Sequence, residues 1–260
     1  MSPIQVGACG YGYYNAPEGW KDKYESKLQA FTHDFELLEV QKTFYDLPQP
    51  KTCRRWRENA NSEFTFTLKA WQALTHTIDS PTWRGNDDQL TDVQREQIGY
   101  LRPNQTVKTA WSETMERAKR LDAEVIVLQC PASFEPTDEN EAKMRALLSE
   151  VDRNGRFIAW ESRGKWLDQP DRVGSICKDL NLAHTVDLMR RQPAHLGSVA
   201  YVRLHGLNED RYDYDYDYSQ SELKILRDRL HDLEEKCEKV YCLFNNFSKF
   251  KNIKSLKKLL

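Results

Sequence analysis

Short apolar runs rich in β-branched and aromatic residues recur along the whole chain, and this repetition constrains the fold more than any other feature. The runs are IQVGACG (4–10), FELLEVQ (35–41), FTFTLKA (64–70), EVIVLQCP (124–131), FIAWESR (157–163), LAHTVDL (182–188), VAYVRLHG (199–206) and KVYCLFNN (239–246). They are near-continuously apolar, as in strands covered on both faces. Helical periodicity fills most of the intervals: 20–31, 50–60, 109–122, 139–152 and 219–236. Strand and helix in alternation call for a parallel sheet, because the crossover helices must pack on its faces. Eight such units in 260 residues match the size and count of a TIM barrel. The predicted fold class is α/β, a single TIM-type (β/α)8 barrel over residues 1–260. A doubly wound open sheet is the alternative, but no GxGxxG follows the first run to support its dinucleotide-binding form.

Two stretches depart from an ideal barrel. The connection from Trp71 to Lys108 is long, polar and carries Trp83, Arg84 and Tyr100, which predicts a long insertion after strand 3, as a lid or as extra helices. The segment MRRQPAHLGS (189–198) is too short for a good helix.

With 39% hydrophobic and 30% charged residues the chain can bury a full core. A formal charge of -2 advertises no global field for nucleic acid. MSPIQVGACG lacks a basic leader and a signal-length apolar run, and no window approaches the roughly 20 apolar residues of a membrane span, so the expectation is a cytoplasmic protein with no membrane partner. Six cysteines without a CxxC pair read as reduced core thiols.

Almost every apolar run ends on polar or ionisable residues: Glu39 and Gln41, Lys69, Gln129, Glu161 and Arg163, Asp187, Arg203 and His205, Asn245 and Asn246. In a TIM barrel these ends converge on one mouth. Glu161, Arg163, Arg203 and His205 also share the parity of inward positions. Lys69, Arg163 and Arg203 would bring three cations suited to phosphate, carboxylate or an oxyanion, and a carboxylate beside histidine suits proton transfer. Each residue taken singly is also compatible with a structural ion pair; the set favours a ligand site.

Glu39, Glu161, Asp187, His76 and His205 could supply ligands to a divalent ion. Arginines two residues from Glu161 and from His205 argue against it, since a guanidinium repels a metal and neutralises the carboxylates. No cofactor and no metal are therefore predicted, a divalent ion being the less favoured case. The tail 247–260 reads as the closing barrel helix, with Phe250, Ile253, Leu256 and Leu260 on one face. His231 reads as solvated, and His33, His184 and His195 receive no role.

RYDYDYDYSQ (211–220) sets tyrosines and aspartates on a two-residue period. It falls in the loop after the seventh strand, before a helix whose Ser219 and Glu222 fit a capping box. An extended segment sends Tyr212, Tyr214, Tyr216 and Tyr218 to one side and Asp213, Asp215 and Asp217 to the other. At least one tyrosine, with Tyr212 and Tyr214 the candidates, is expected to line the mouth near Arg203 and His205. The aspartates are expected to face solvent or pair with Arg211 or another basic residue.

Several motifs in order, among them VGACGYGYYNAPEGW (6–20), LEVQKTFYDLPQPKTCRRW (38–56), FTLKAWQALTH (66–76), LQCPASF (128–134), AWESRGKW (159–166), YVRLHG (201–206), YDYDYDYS (212–219) and YCLFNN (241–246), make the chain resemble the YecE-like proteins, domain-of-unknown-function family number 72, over essentially its whole length. The resemblance implies a TIM-type barrel related in architecture to sugar isomerases and the apurinic endonuclease superfamily, with no established reaction. It implies polar site positions at Glu39, Lys69, His76, Gln129, Glu161, Arg163, Arg203, His205, Asn245 and Asn246. The chain departs from the family pattern at Ala8, Cys9 and Tyr11, and at Gln41, where asparagine is usual.

The leading expectation is an enzyme or ligand-binding barrel for a phosphorylated or polyhydroxylated small molecule, with isomerase or hydrolase chemistry. Glu161 and His205 are the candidates for proton transfer. Glu39, Lys69, His76, Gln129, Arg163, Asp187, Arg203, Tyr212, Tyr214, Asn245 and Asn246 are the candidates for binding. The less favoured alternatives are a nucleic-acid phosphodiesterase or lesion-processing protein, in which Trp83 and Arg84 grip a strand, and a non-catalytic sensor.

Overall fold

The computed structural model describes residues 3–210 and 213–260. Its eight strands are all parallel and follow the predicted runs: β1 (Ile4–Cys9), β2 (Leu37–Val40), β3 (Thr65–Lys69), β4 (Ala123–Gln129), β5 (Phe157–Glu161), β6 (Ala183–His184), β7 (Val199–Leu204) and β8 (Lys239–Phe244). Hydrogen-bonded neighbours run β6-β5-β4-β3-β2-β1-β8-β7. The ring closes by a parallel bridge between Val186 and Val202 and a 3.0 Å hydrogen bond from the Arg203 N–H to the Val186 carbonyl.

β6 is shorter than the apolar run 182–188 predicts. The Asp187 carboxylate explains why: it accepts the backbone N–H groups of Met189 at 3.0 Å and of His205 at 3.1 Å, turning the chain out of the ladder. No helix forms between Asp187 and β7.

Around the sheet lie α1 (Lys27–Asp34), α2 (Lys42–Tyr45), α3 (Pro50–Glu58), α4 (Asp92–Gln97), α5 (Gln105–Leu121), α6 (Asp138–Glu150), α7 (Pro170–Asp179), α8 (Gln220–Glu234) and α9 (Lys249–Lys257). The predicted helix 20–31 begins later, because the Ser26 side chain caps α1 by accepting the Gln29 N–H at 3.1 Å. α7 was not legible as a separate helical stretch. The insertion after β3 consists of two 3-10 turns, Gln72–Leu74 and Pro81–Trp83, and α4. Trp83 is buried within it and donates to the His76 carbonyl at 3.4 Å. It offers no free face for stacking on a base.

Alternate strand residues point inward, and Leu37, Val125, Val127, Ala159, Tyr201 and Leu243 fill the barrel's interior. The other parity packs against the helices in a second, larger core. Gly7 sits where β1 and β2 nearly touch: a Cβ there would lie 2.1 Å from the Leu37 carbonyl oxygen. The inward parity continues past these apolar layers into Glu39, Lys69, Gln129, Glu161, Asp187, Arg203 and Asn245, which places the polar residues at one end of the barrel. No helix among the described residues is long and apolar enough to cross a membrane.

Candidate functional site

Arg203 is the centre of the polar layer. It is 1% exposed, and its guanidinium donates to Glu39 at 2.9 Å, to Gln129 at 3.2 Å and, more closely still, to Glu161. Glu39 in turn accepts from the Tyr201 hydroxyl at 2.9 Å and from Gln41. Glu161 accepts from Arg163 at 2.8 Å. Burial pushes the Glu161 carboxyl up, but Arg203 and Arg163 outweigh burial and hold it well below the usual range. Burial likewise opposes the charge on Arg203, and the two carboxylates override it.

This network bears on two expectations. Arg203 gives both terminal nitrogens to Glu39, Glu161 and Gln129, while its Nε is buried without a partner. Glu161 stays ionised at neutral pH, which disfavours it as a general acid.

Above the network opens a cleft of about 140 Å³ whose lining includes Glu161, Arg163, Asp187, His205 and Tyr214. Arg190, Arg191 and Thr185 also line it. Sequence reasoning missed these three. The arginine doublet directly after a strand end was the available signal, and Thr185 shares the inward parity of Asp187. Arg190 is held by the carbonyl oxygens of Gly206 and Asn208 at 2.8 and 2.7 Å. Burial raises the Asp187 carboxyl and lowers the His205 imidazole to about 4, so His205 is neutral at pH 7. His205 Nε2 and Thr185 Oγ1 are buried with no hydrogen-bond partner. Unpaired buried polar atoms cost about 1–3 kcal/mol each, so two at one cleft are a bonding demand that the protein leaves open.

The tyrosine loop forms the cleft's rim. Asp213, Asp215 and Asp217 are exposed, Tyr214 and Tyr216 are half-buried, and Tyr218 is buried, so the two-residue period is realised. The ring of Tyr214 stands 6.0 Å from that of His205. Tyr218 accepts the Gly206 N–H at 3.0 Å, and Asp217 pairs with Lys251. Gly206, at φ 103, lets the loop lie across the end of β7, since a Cβ would come within 2.6 Å of Tyr216. Ser219 and Glu222 form the expected capping box. Tyr212 and Arg211 fall outside the described residues.

On the β2–β3 side, Lys69 and His76 flank Phe44. The Lys69 ammonium stands 3.4 Å from the centroid of the Phe44 ring and has no hydrogen bond or carboxylate partner among the described residues. Burial, Arg203 and Arg163 lower it to about 7 from the usual 10.5. That shift is worth roughly 5 kcal/mol, more than the roughly 0.5–2 kcal/mol a cation gains from an aromatic face. Lys69 is thus close to half protonated at pH 7. His76 accepts or donates at Thr75 Oγ1, 2.8 Å away, and burial together with Lys69 lowers it to about 3.

Asn245 continues the inward parity of β8. Asn246 has the other parity and donates to the Tyr216 carbonyl at 2.6 Å and to Asn252 at 2.7 Å, so it holds the tyrosine loop on α9 instead of facing the cleft. Among the described residues, no three histidine, cysteine, aspartate or glutamate side chains gather as they would around a metal ion. The oxygen donors that could begin such a group, Glu39 and Glu161, are already bonded to Arg203. All six cysteines are buried and free.

The chain is 22% identical over 272 residues to the UPF0759 protein YunF of Bacillus subtilis (strain 168), covering 94% of this chain and 89% of that protein. A DUF72 family protein of Enterococcus faecalis V583 has a similar structure, with a TM-score of 0.73 at 16% identity, covering 99% of this chain and 95% of that one. A D-psicose 3-epimerase of Clostridium cellulolyticum H10, solved with D-tagatose, has a TM-score of 0.55 at 10% identity, covering 96% and 89% of the two chains. At these identities the likeness to the structures shows the TIM-barrel fold alone. The family model described as "Protein of unknown function DUF72" matches residues 5–260, and the chain belongs to that family.

Proposed function

We propose that the mouth of this barrel binds a phosphorylated or polyhydroxylated small molecule and acts on it as an enzyme. The observation that carries this reading is the pair of buried, unpartnered polar atoms, His205 Nε2 and Thr185 Oγ1, in a cleft that three arginines line. Ligand hydroxyls would complete both. Arg163, Arg190 and Arg191 would face an anionic end, and guanidinium forks suit phosphate or carboxylate. His205, neutral at pH 7, would accept or relay a hydroxyl proton, with Asp187 fixing its backbone. Glu161 would set the orientation of Arg163 and act through its charge. Tyr214 would close the rim. Sugar epimerase architecture in a distant structural neighbour is compatible with this substrate class.

Titration calorimetry with open-chain sugars, sugar phosphates and inorganic phosphate tests the reading. At least one phosphorylated sugar is expected to bind, and His205→Leu and Arg190→Ala are each expected to weaken it about tenfold or more, equivalent to about 1.4 kcal/mol. Absence of binding across the panel, in a folded protein, would reject it.

A further inference from the structure

We propose that Lys69 is a nucleophile whose amine forms an imine with the open-chain carbonyl of an aldose or ketose seated in the mouth. This rests on the reading above, that a polyhydroxylated molecule occupies the cleft. The argument is one of bonding. Buried lysines are normally paired, and Lys249 illustrates it, donating to the Cys9 carbonyl at 2.7 Å. Lys69 is 4% exposed at the inward end of β3 and has no such partner, only the ring faces of Phe44 at 3.4 Å and Tyr45 at 5.8 Å.

The acids that could have paired with Lys69 are committed elsewhere. Glu39 is bonded to Arg203, Tyr201 and Gln41, Glu161 to Arg203 and Arg163, and Asp187 to the backbone of Met189 and His205. The groups facing Lys69 are Arg203 from β7, Arg163 and Glu161 from the end of β5, Glu39 from β2, His76 after β3 and Tyr45 from α2. The two arginines cannot give up their protons, so the lysine does, and much of it is free amine near pH 7. Lys69 is not itself part of the cleft lining, but Glu161 and Arg163, which are, act on its charge, and an unpaired, partly neutral amine next to those two residues is the arrangement imine chemistry requires.

In the step, the Nζ lone pair attacks the carbonyl carbon and a C–N bond forms. The carbonyl oxygen becomes a hydroxyl and then leaves as water. Counted from the ammonium, two of its three protons depart with that oxygen and one remains on the iminium nitrogen. No oxidant or reductant is needed.

The test is reductive trapping on the full chain. The protein is incubated at pH 7 with dihydroxyacetone or dihydroxyacetone phosphate plus cyanoborohydride, which delivers hydride to the iminium carbon, and peptides are mapped by mass spectrometry. Lys69 is expected to carry the adduct at least tenfold above exposed lysines such as Lys51, with a midpoint near pH 7, whereas solvated lysines need pH near 10. Lys69→Arg, which keeps the charge and cannot form an imine, is expected to remove that adduct. Adducts spread over exposed lysines with Lys69 unmodified, or total labelling unchanged in Lys69→Arg, would overturn the proposal. Saturable binding of the phosphorylated compound without Lys69 labelling would also overturn it and leave the cleft standing. Equal Lys69 labelling by both compounds would keep the imine and count against the anion subsite.

Discussion

Two sets of polar groups share the C-terminal ends of the strands, and apart from Arg203 Nε, which is buried without a partner, they differ in whether the protein completes their bonding. In the network around Arg203, every carboxylate oxygen of Glu39 and Glu161 accepts at least one hydrogen bond from Arg203, Arg163, Tyr201 or Gln41. In the cleft, His205 Nε2 and Thr185 Oγ1 have none, and the Lys69 amine rests on the ring of Phe44 and not on a carboxylate. Buried charges are tolerated when paired and costly when not. The satisfied set is therefore architecture, tying β2, β5 and β7 together across the barrel, and the unsatisfied set is the part the fold keeps for something else. Ionisable character alone does not separate them; bonding does.

The comparison breaks most directly at Arg203. Arg203→Met strands two buried carboxylates, and the loss expected in urea denaturation is about 3–5 kcal/mol, with expression falling accordingly. Arg203→Lys is expected to recover little, because one ammonium cannot reach Glu39, Gln129 and Glu161 together. A loss below about 1 kcal/mol would mean that the network is not structural and would return Arg203 to the ligand.

Much of this division was half-legible in the sequence. The two-residue spacings Glu161 to Arg163 and Arg203 to His205 show which side chains face inward, because parity is a local property of a strand. What parity cannot show is who pairs with whom. Arg203 meets Glu39 across 164 residues and Glu161 across 42, and only closure of the barrel brings them together. The charge state of Lys69 is unreadable in the sequence for the same reason: its protonation depends on Phe44, Arg163 and Arg203 packed around it. Likewise Trp83 reads as an exposed grip in a polar insertion, and only the folding of that insertion onto His76 buries it. The tyrosine ladder was more readable, since its period is its geometry.

Lys69 gives the converse prediction. The unfolded chain binds this proton up to pH 10.5 and the folded chain releases it above about 7, so the wild-type protein gains stability as pH rises between those values. Below that window the buried ammonium is a cost. Lys69→Met is therefore expected to stabilise the protein at pH 7 by about 1–4 kcal/mol in chemical denaturation, the aromatic face of Phe44 accounting for part of the spread, and to flatten the rise between pH 7 and 10. Destabilisation instead would place Lys69 in the architectural set and remove the contrast on which its proposed role stands.

The finest distinction lies between two histidines. His184 and His205 are both lowered to about 4, burial being the largest cause for each. The protein bonds both nitrogens of His184, Nδ1 accepting the Ala194 N–H at 2.9 Å and Nε2 meeting Ser162 at 3.3 Å, while His205 Nε2 has no partner. Their folded values lie below the usual 6.5, so each contributes stability that is present above about pH 6.5 and is lost as pH falls toward 4. The loss by pH 5 is about 2 kcal/mol per histidine, measurable by urea denaturation at pH 7, 6 and 5. His205→Leu and His184→Leu should each remove one such share from the acid slope. At pH 7 they should part company: replacing His184 strands its bonded partners and costs about 1–3 kcal/mol, whereas replacing His205 removes an unpaired nitrogen and leaves stability nearly unchanged. Equal losses at pH 7 would show that His205 is held as firmly as His184, and the cleft would lose its clearest open bond.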